Sequence, residues 1–405
     1  MDRTRRDELT ELFVRHVCQT SPEPLGIVVD RARGATIWDV DGREYLDLLS
    51  GIGVSGIGHC NPEVVAAVAA QASRYLHTTV YGEAVQAPQV ELARRIAALA
   101  PGDLSVTFFA NSGTEAIEGA LKLARKHTGR RRFIAFEGGY HGDTTGSLAL
   151  CDNRVYRRPF EPLQLEVEFL PFGDVAALDR IDESVAAVVV EPVQAEGGVR
   201  IPPDEFHPAL RRACDDAGAL LVFDEVMTGF GRTGRWFACE HWTVCPDVLV
   251  LAKALGGGLP LGAFVGEPRL MAELSHDPPL CHVTTFGGHP LSCAAGLAAL
   301  EFAEREDLPA RAARQGELWL NRLRSLASEH LVDVRGLGML LGIEFASAEM
   351  TQAFARRAFE LGLILNWTLH RDTVIRLAPP LVMTEAETER AFTALASALA
   401  TISGR

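Results

Sequence analysis

The sequence predicts an α/β fold, in which helices cover a large, mostly parallel sheet and a smaller α+β domain follows. Between about residues 64 and 290, short and almost wholly apolar runs alternate with helical stretches, as expected for a parallel sheet that is covered on both faces. After about residue 295, long helical stretches surround a few strand-like runs. We therefore predict an N-terminal helix and hairpin segment that packs with the small domain (1–60), a large domain (61–295) and a small C-terminal domain (296–405).

Composition narrows the class of protein and its partners. The chain has 405 residues, 47% of them hydrophobic and 23% charged, with a net charge of −14. Such a chain is long and apolar enough for a globular enzyme, and its negative charge disfavours a nucleic-acid partner. The most apolar window, 248–266, contains a lysine, a proline and several glycines, which disfavours a membrane span. The eight cysteines show no metal-site spacing, and we expect no metal and a cytoplasmic location.

The first sixty residues predict a surface helix and then a hairpin. The helix should pack on the body of the protein through one apolar face, formed by Leu9, Leu12, Phe13 and Val17. Residues 34–49 predict the hairpin, because two strand-like runs are separated by Asp41–Gly42, a dipeptide favoured in tight turns.

The remaining elements follow from apolar runs and helical periodicity. Strands are predicted at 105–110, 131–136, 185–190, 219–223 and 247–252. Helices are predicted between them, at 115–127 and 204–218. Beyond residue 295 we expect a long helical stretch, strand-like runs at 331–345 and 374–380, and helices at 350–362 and 385–400.

Three of the predicted strands end at a charged residue. Glu191, Asp224 and Lys253 are separated by 33 and 29 residues, and each interval is long enough for one strand–helix–strand crossover. Ligands of open parallel sheets bind beyond the carboxyl ends of the strands. We therefore expect the three side chains to meet at one sheet edge, although each alone could be an ordinary charge at a strand end.

A possible anion site precedes them. After strand 105–110, Ser112 and Glu115 fit a capping box at a helix start. Gly113 would let the backbone approach a ligand, and the helix N-terminus favours a phosphate. By itself this is also the pattern of any capped helix. Combined with the strand-end residues it describes a pyridoxal phosphate site, in which Lys253 forms a Schiff base and Asp224 keeps the pyridine nitrogen protonated.

At this point the sequence resembles the class III (ω-amino acid type) aminotransferases, which have the fold-type I architecture of pyridoxal phosphate enzymes. The matching segments are GHCNPEV (58–64), NSGTEA (111–116), GYHGDT (139–144), EPVQAEGG (191–198), DEVMTGFGRTG (224–234), PDVLVLAKALGGGLPLGA (246–263), TTFGGHPL (284–291), RGLGML (335–340) and RLAPPL (376–381).

The resemblance implies roles for individual residues. Lys253 is the Schiff-base lysine and proton shuttle, Asp224 binds the pyridine nitrogen, and Glu191 supports their network. The other residues expected at the cofactor are Ser112, Gly113, Thr114, Tyr140, which would stack on the ring, His141, Val226 and Met227. Thr285 is expected to reach the phosphate of the partner subunit, which makes the enzyme a homodimer.

The resemblance also implies a substrate pocket. Arg376 would receive the carboxylate of the 2-oxo acid, and Glu196 would neutralise it while an amine donor without that carboxylate is bound. Asp143 stands where acetylornithine and ornithine enzymes commonly have an arginine, and would contact a cation or cap a turn. Ile52 stands where ornithine enzymes have an aromatic residue, and Met227 replaces a common glutamine.

These features favour an ω-amine donor, such as the diamines putrescine or cadaverine. The acceptor would be 2-oxoglutarate or pyruvate, in a ping-pong reaction. Segments 237–258 and 284–300 look most similar to putrescine-type enzymes. The alternatives are an acetylornithine/ornithine-type or other ω-amino acid aminotransferase, or a pyridoxal phosphate aminomutase of the glutamate-1-semialdehyde type. Residues 51–56 match the GxGxxG pattern of nicotinamide-dependent enzymes. The GHCNP that follows would interrupt the helix after this pattern, which disfavours that alternative.

Overall fold

Three sheets organise the chain. The computed structural model describes residues 4–22, 24–80, 82–326 and 330–403. The strands are β1 (Val29–Arg33), β2 (Thr36–Asp39), β3 (Glu44–Asp47), β4 (Val106–Ala110), β5 (Arg132–Phe136), β6 (Glu166–Leu170), β7 (Val185–Val190), β8 (Leu220–Asp224), β9 (Val248–Leu251), β10 (Gly262–Gly266), β11 (Leu331–Leu337), β12 (Leu340–Phe345), β13 (Leu363–Ile364), β14 (Asn366–Trp367) and β15 (Val374–Leu377).

Helices lie between and after these strands. They are α1 (Arg5–His16), α2 (Ser50–Gly53), α3 (Pro62–Arg74), α4 (Ala87–Leu99), α5 (Gly113–Thr128), α6 (Thr145–Ala149), α7 (Arg154–Arg157), α8 (Phe206–Ala217), α9 (Pro268–Ala272), α10 (Pro290–Arg305), α11 (Leu308–Ser325), α12 (Ala348–Glu360) and α13 (Glu385–Ser403).

The largest sheet has seven strands in the order β4-β10-β9-β8-β7-β5-β6. Its neighbours pair in parallel, except that β10 runs antiparallel to both β4 and β9. Every residue of β7 and β8 is buried, which explains their unbroken apolar sequence. The predicted α/β class, with its mostly parallel sheet, is confirmed. This arrangement aligns the carboxyl ends of β7, β8 and β9 at one edge.

The other two sheets share a hydrophobic core. One has the order β1-β2-β3-β13 and the other β11-β12-β15-β14. The predicted hairpin is confirmed, since β2 and β3 pair antiparallel, and β13 extends its sheet in parallel from far along the chain. Leu46 of β3, Leu341 of β12 and Trp319 of α11 belong to one cluster of buried side chains. This packing supports the proposed association of residues 1–60 with the small domain.

The N-terminal helix differs from its prediction in how it packs. Helix α1 forms where expected, but none of its residues is buried, and Leu12, Phe13 and Val17 are exposed. The helix is attached instead through Arg6, whose guanidinium pairs with Asp39 at 2.7 Å and with Asp41. The expected apolar docking of this face is therefore wrong for the single chain, because the ion pairs of Arg6 attach the helix while its apolar side chains stay exposed.

Two further sequence patterns take other forms in the structure. The GxGxxG segment forms α2, a turn in which Gly51 and Ile52 have φ near +60°, so no strand–helix dinucleotide unit exists there. Within the described parts of the chain, no helix is long and apolar enough to span a bilayer. Across those same residues, no group of His, Cys, Asp and Glu is arranged to hold a metal ion.

Candidate active site

The strand-end residues meet in one cavity, as their spacing predicted. It has a volume of about 650 Å³ and lies beyond the carboxyl ends of β7, β8 and β9. Twelve of the predicted site residues line it: Ser112, Gly113, Thr114, Tyr140, His141, Asp143, Glu191, Glu196, Asp224, Val226, Met227 and Lys253. An amine, buried carboxylates and a helix N-terminus therefore face one space, and this set of groups suits an anionic aldehyde with a basic ring nitrogen.

Asp224 is held by two hydrogen bonds. The carboxylate is 4% exposed. It lies 2.7 Å from His141 Nδ1 and accepts the backbone N–H of Val226 at 3.0 Å. Burial alone would lower the pKa of His141, but the hydrogen bond and the charge of Asp224 outweigh it, so the pKa of His141 is raised. The His141 ring therefore presents a hydrogen bond, and when protonated a positive charge, to the carboxylate that would bind the ring nitrogen.

Glu191 holds the loops around Asp224 in place through hydrogen bonds. Its carboxylate accepts the backbone N–H groups of Tyr140 and Ala195, both at 3.0 Å. Burial raises the pKa of Glu191 to about 7, and the charge of His141 opposes this rise. Because both contacts are to backbone, Glu191 positions the loops that follow β5 and β7.

Lys253 follows β9 in a strained conformation. Its φ is +50°, at the start of a short 3₁₀ turn, Lys253–Gly256, and this left-handed region is uncommon for non-glycine residues. The amine contacts Met227 Sδ at 3.5 Å. Burial, and then the charge of Arg376, lower the pKa of Lys253. A larger neutral fraction makes this amine a better nucleophile and proton acceptor.

The start of α5 differs in detail from the predicted capping box. Ser112 caps the helix, accepting the N–H of Glu115 at 3.3 Å. The Glu115 carboxylate, however, accepts the N–H of Asn111 at 2.6 Å, one residue earlier than a capping box requires. Gly113 is needed for packing, since a Cβ there would lie 3.0 Å from the Val226 side chain. The cap is thus present, and Gly113 both lines the cavity and leaves room for the Val226 side chain.

Thr114 belongs to a hydroxyl cluster. Its Oγ1 lies 2.6 Å from Ser147 Oγ and 2.9 Å from Thr144 Oγ1. Thr144 in turn donates to Glu118 at 2.6 Å. These contacts fix the first turn of α5 against the loop that follows β5. The helix N-terminus that would hold a phosphate is therefore rigidly placed.

A second cavity of about 770 Å³ adjoins the first, with which it shares Val54, Tyr140, Glu196 and Lys253. Ile52 and Arg376 line it. Glu196 forms an ion pair with Arg376 and accepts the backbone N–H of Leu369 at 2.8 Å. Burial raises the pKa of Glu196, but Arg376 outweighs it and the pKa is lowered. We call the Glu196–Arg376 pair the gate.

Two predicted residues have less direct positions. Asp143 is exposed at the edge of the first cavity and accepts the Tyr140 hydroxyl at 2.8 Å, so the contact seen is neither a bound cation nor a backbone cap. Thr285 is exposed and lies outside the lining of both cavities. Its expected role at the partner subunit's phosphate stays a prediction.

The sequence reasoning did not identify one wall of the second cavity. Asn153, Tyr156, Gln352, Trp367, His370 and Asp372 line this wall. The His370 ring stacks on Tyr156 at 5.8 Å and meets Tyr140 edge-on at 6.0 Å. A possible signal was the concentration of Asn, Trp, His and Asp just before RLAPPL. No rule of residue spacing connects this composition to a particular site, so it did not lead to a prediction.

Comparisons with known proteins agree with this geometry. The family model described as Aminotransferase class-III matches residues 17–399. The chain is 48% identical over 369 residues to an acetylornithine aminotransferase of Methanopyrus kandleri, covering 90% of this chain and 92% of that one. It is 44% identical over 381 residues to a putrescine aminotransferase of Pectobacterium atrosepticum, covering 90% and 81%. A structure of the Toxoplasma gondii ornithine aminotransferase, described with partial occupancy of PLP at its active site, matches with a TM-score of 0.91 and 31% identity over 98% of this chain and 94% of that chain.

Proposed function

The chain belongs to the class III aminotransferases, which use pyridoxal phosphate, and we propose that it moves an amino group from a diamine to a 2-oxo acid. The family membership confirms the resemblance, the enzyme class and the cofactor expected from the sequence. The observation that carries the diamine proposal is the gate. Among the described residues lining the two cavities, Arg376 is the one arginine, and Glu196 already neutralises it.

The gate explains how one pocket accepts two substrates. A donor carboxylate would need a free guanidinium, whereas a diamine is compatible with the closed pair. When Glu196 moves aside, Arg376 can bind the carboxylate of the oxo acid. The Nε of Arg376 is buried and has no hydrogen-bond partner among the described residues. That N–H supports the proposal, because a bound carboxylate would satisfy it.

The walls of the pocket suit a second ammonium group. Asp143 lines the first cavity and Asp372 the second. Asn153 and Gln352 add amide oxygens to the second cavity. A donor that extends from Lys253 toward these groups would place its far ammonium near acceptors and negative charge. This distribution supports a diamine over an amino acid.

The residues of the chain would divide the chemistry as follows. The helix start at Ser112–Thr114 would hold the phosphate, and Asp224 the ring nitrogen. Pyridoxal phosphate supplies an electron-accepting ring that stabilises negative charge on the substrate carbon. Lys253, whose pKa is lowered by burial, would act as the base that accepts the proton from that carbon. His141 orients the Asp224 carboxylate through its hydrogen bond, and Tyr140 lines the cavity wall.

Acetylornithine transamination is the second candidate. It is favoured by the 48% identity to the Methanopyrus relative. In this case the donor carboxylate would open the gate and bind Arg376 itself. Asp143, rather than an arginine, would then face the remainder of the donor. The two candidates therefore differ in whether the donor or only the acceptor displaces Glu196.

A donor panel tests these functions. Putrescine, cadaverine, N-acetylornithine and ornithine would be compared with 2-oxoglutarate and with pyruvate as acceptors. We expect kcat/KM for a diamine to exceed that for N-acetylornithine by at least about tenfold, which corresponds to about 1.4 kcal/mol. The reverse order would establish the second candidate. Turnover of a single substrate without any oxo acid would indicate an aminomutase. Lys253→Ala should abolish turnover and the visible absorption of the bound cofactor.

We also propose that the enzyme is a homodimer with shared sites. The support is the exposed position of Thr285, outside the cavities of its own chain. Mixing inactive Lys253→Ala subunits with Thr285→Ala subunits should restore activity, since one site of the mixed dimer would then have both residues. If Thr285 acts within its own chain, mixing will restore nothing.

A further inference from the structure

We propose that Glu344, outside both cavities, is a positioning residue for the gate. This proposal rests on the function proposed above, in which Glu196 neutralises Arg376 in one half-reaction and releases it in the other. Glu344 lies on β12 and is 8% exposed. It binds two arginines at once, accepting Arg335 Nη1 at 2.6 Å and Arg371 Nε at 3.1 Å. Each arginine leads to a segment that contacts or carries Glu196.

The first arginine holds the loop that follows Glu196. Arg335 donates from Nε to the carbonyl of Gly198 at 2.9 Å and to that of Val199 at 3.1 Å. Val199 is a β-branched residue with φ +52°, a conformation that costs about 1–2 kcal/mol relative to the usual regions. The loop needs external contacts to remain in this shape, and Arg335 supplies them two and three residues beyond Glu196.

The second arginine holds the segment that binds Glu196 from the other side. Leu369 N–H donates to the Glu196 carboxylate at 2.8 Å, and His370 N–H donates to the Glu196 backbone carbonyl at 3.1 Å. Arg371 follows directly, and its own carbonyl accepts the Thr368 hydroxyl at 2.7 Å. Fixing Arg371 on Glu344 therefore fixes the two N–H groups that hold Glu196 closed.

One buried carboxylate thus ties both segments together. Without it, the hydrogen bond from Leu369 to Glu196 would be less well aligned, and the closed gate would be less populated. Arg376 would be unneutralised more of the time. The amine half-reaction should then slow, while the oxo acid, which needs Arg376 free, should bind as well as before or better.

Glu344→Gln in the holoenzyme tests this, with each half-reaction followed separately by cofactor absorbance in single turnovers. We expect the rate constant kcat/KM of the amine half-reaction to fall about tenfold, and that of the oxo-acid half-reaction to stay the same or rise. A general loss of structure would lower both. Arg371→Gln removes only the more exposed of the two arginines, and should shift the ratio in the same direction if Glu344→Gln does not fold.

Asp333→Asn is the matched control. Asp333 lies opposite Glu344 across β11 and β12 and binds the same Arg335 at 2.7 Å, but its side chain is half exposed. Asp333 does not lie between the two arginines, so the ratio of the kcat/KM values of the two half-reactions should remain that of the wild type. An equal shift in this variant, or an equal loss in both half-reactions of Glu344→Gln, would overturn the proposal.

Glu196→Ala distinguishes an error about the gate from an error about the role of Glu344. If it leaves the ratio unchanged, the gate itself is wrong and the proposed function loses its main support. If it shifts the ratio while Glu344→Gln and Arg371→Gln do not, the gate stands and the role of Glu344 is refuted.

Discussion

Gly142→Ala should weaken cofactor binding through a steric conflict at the start of α5. Gly142 has φ +121°, and an added Cβ would lie 2.5 Å from Thr114 Cβ and 2.9 Å from Ser147 Oγ. The backbone strain costs about 1–3 kcal/mol and the overpacking about 1–3 kcal/mol more. Together these costs amount to between about 2 and about 6 kcal/mol. If half of that cost is relieved by moving Thr114 away from the phosphate, the cofactor affinity falls about fivefold at the lower total and over a hundredfold at the higher total.

Gly129→Ala provides the comparison at the other end of the same helix. Its φ is +69°, and a Cβ there meets nothing within 4 Å, so it should cost about 1 kcal/mol of stability and leave cofactor affinity unchanged. Cofactor titration by absorbance and chemical denaturation of both variants give the two quantities. Equal cofactor affinity in the two variants would refute the assignment of Thr114 to the phosphate cradle.

Three further predictions concern stability. Burial lowers the pKa of His207 from 6.5 to about 4, so the unfolded chain takes up a proton that the fold does not. The free energy of unfolding should therefore decrease by about 3 kcal/mol as the pH falls from 6.5 through about 4. Denaturation curves of His207→Gln should lack this decrease. Glu196→Ala leaves Arg376, 3% exposed, without its counter-ion and should cost about 3 kcal/mol in chemical denaturation. Gly316→Ala would place a Cβ 2.7 Å from Gly338 Cα, and should lower the unfolding free energy by more than about 2 kcal/mol without altering cofactor absorbance.

The sequence predicted the large sheet and the strand-end residues because both depend on local patterns. β7 and β8 are buried on both faces, so they appear as unbroken apolar runs. The crossover lengths then bring Glu191, Asp224 and Lys253 to one edge without any knowledge of loops. The family motifs assigned roles to residues between these strands, which spacing alone could not do.

Other features depend on contacts that local patterns do not encode. β6 is a half-buried edge strand, and β10 is a short strand flanked by glycines that runs against its neighbours, so neither was predicted. The wall formed by residues 366–372 reaches the site because β14 pairs with β15, which places Asn366 opposite Arg376. The apolar face of α1 was predicted to be buried, but Arg6 holds the helix through Asp39 and Asp41.

Glu191 and Glu196 show how one short loop can carry a fixed group and a movable one. Both carboxylates are buried or nearly so and lie five residues apart. Glu191 accepts backbone N–H groups from its own loop and from the loop after β5, both attached to the large sheet. Glu196 instead binds Arg376 and Leu369, which belong to the β14–β15 region of another sheet. A movement between the sheets would leave the contacts of Glu191 intact while changing those of Glu196. The partner of each carboxylate, rather than its position in the sequence, therefore determines which of them can act as the gate.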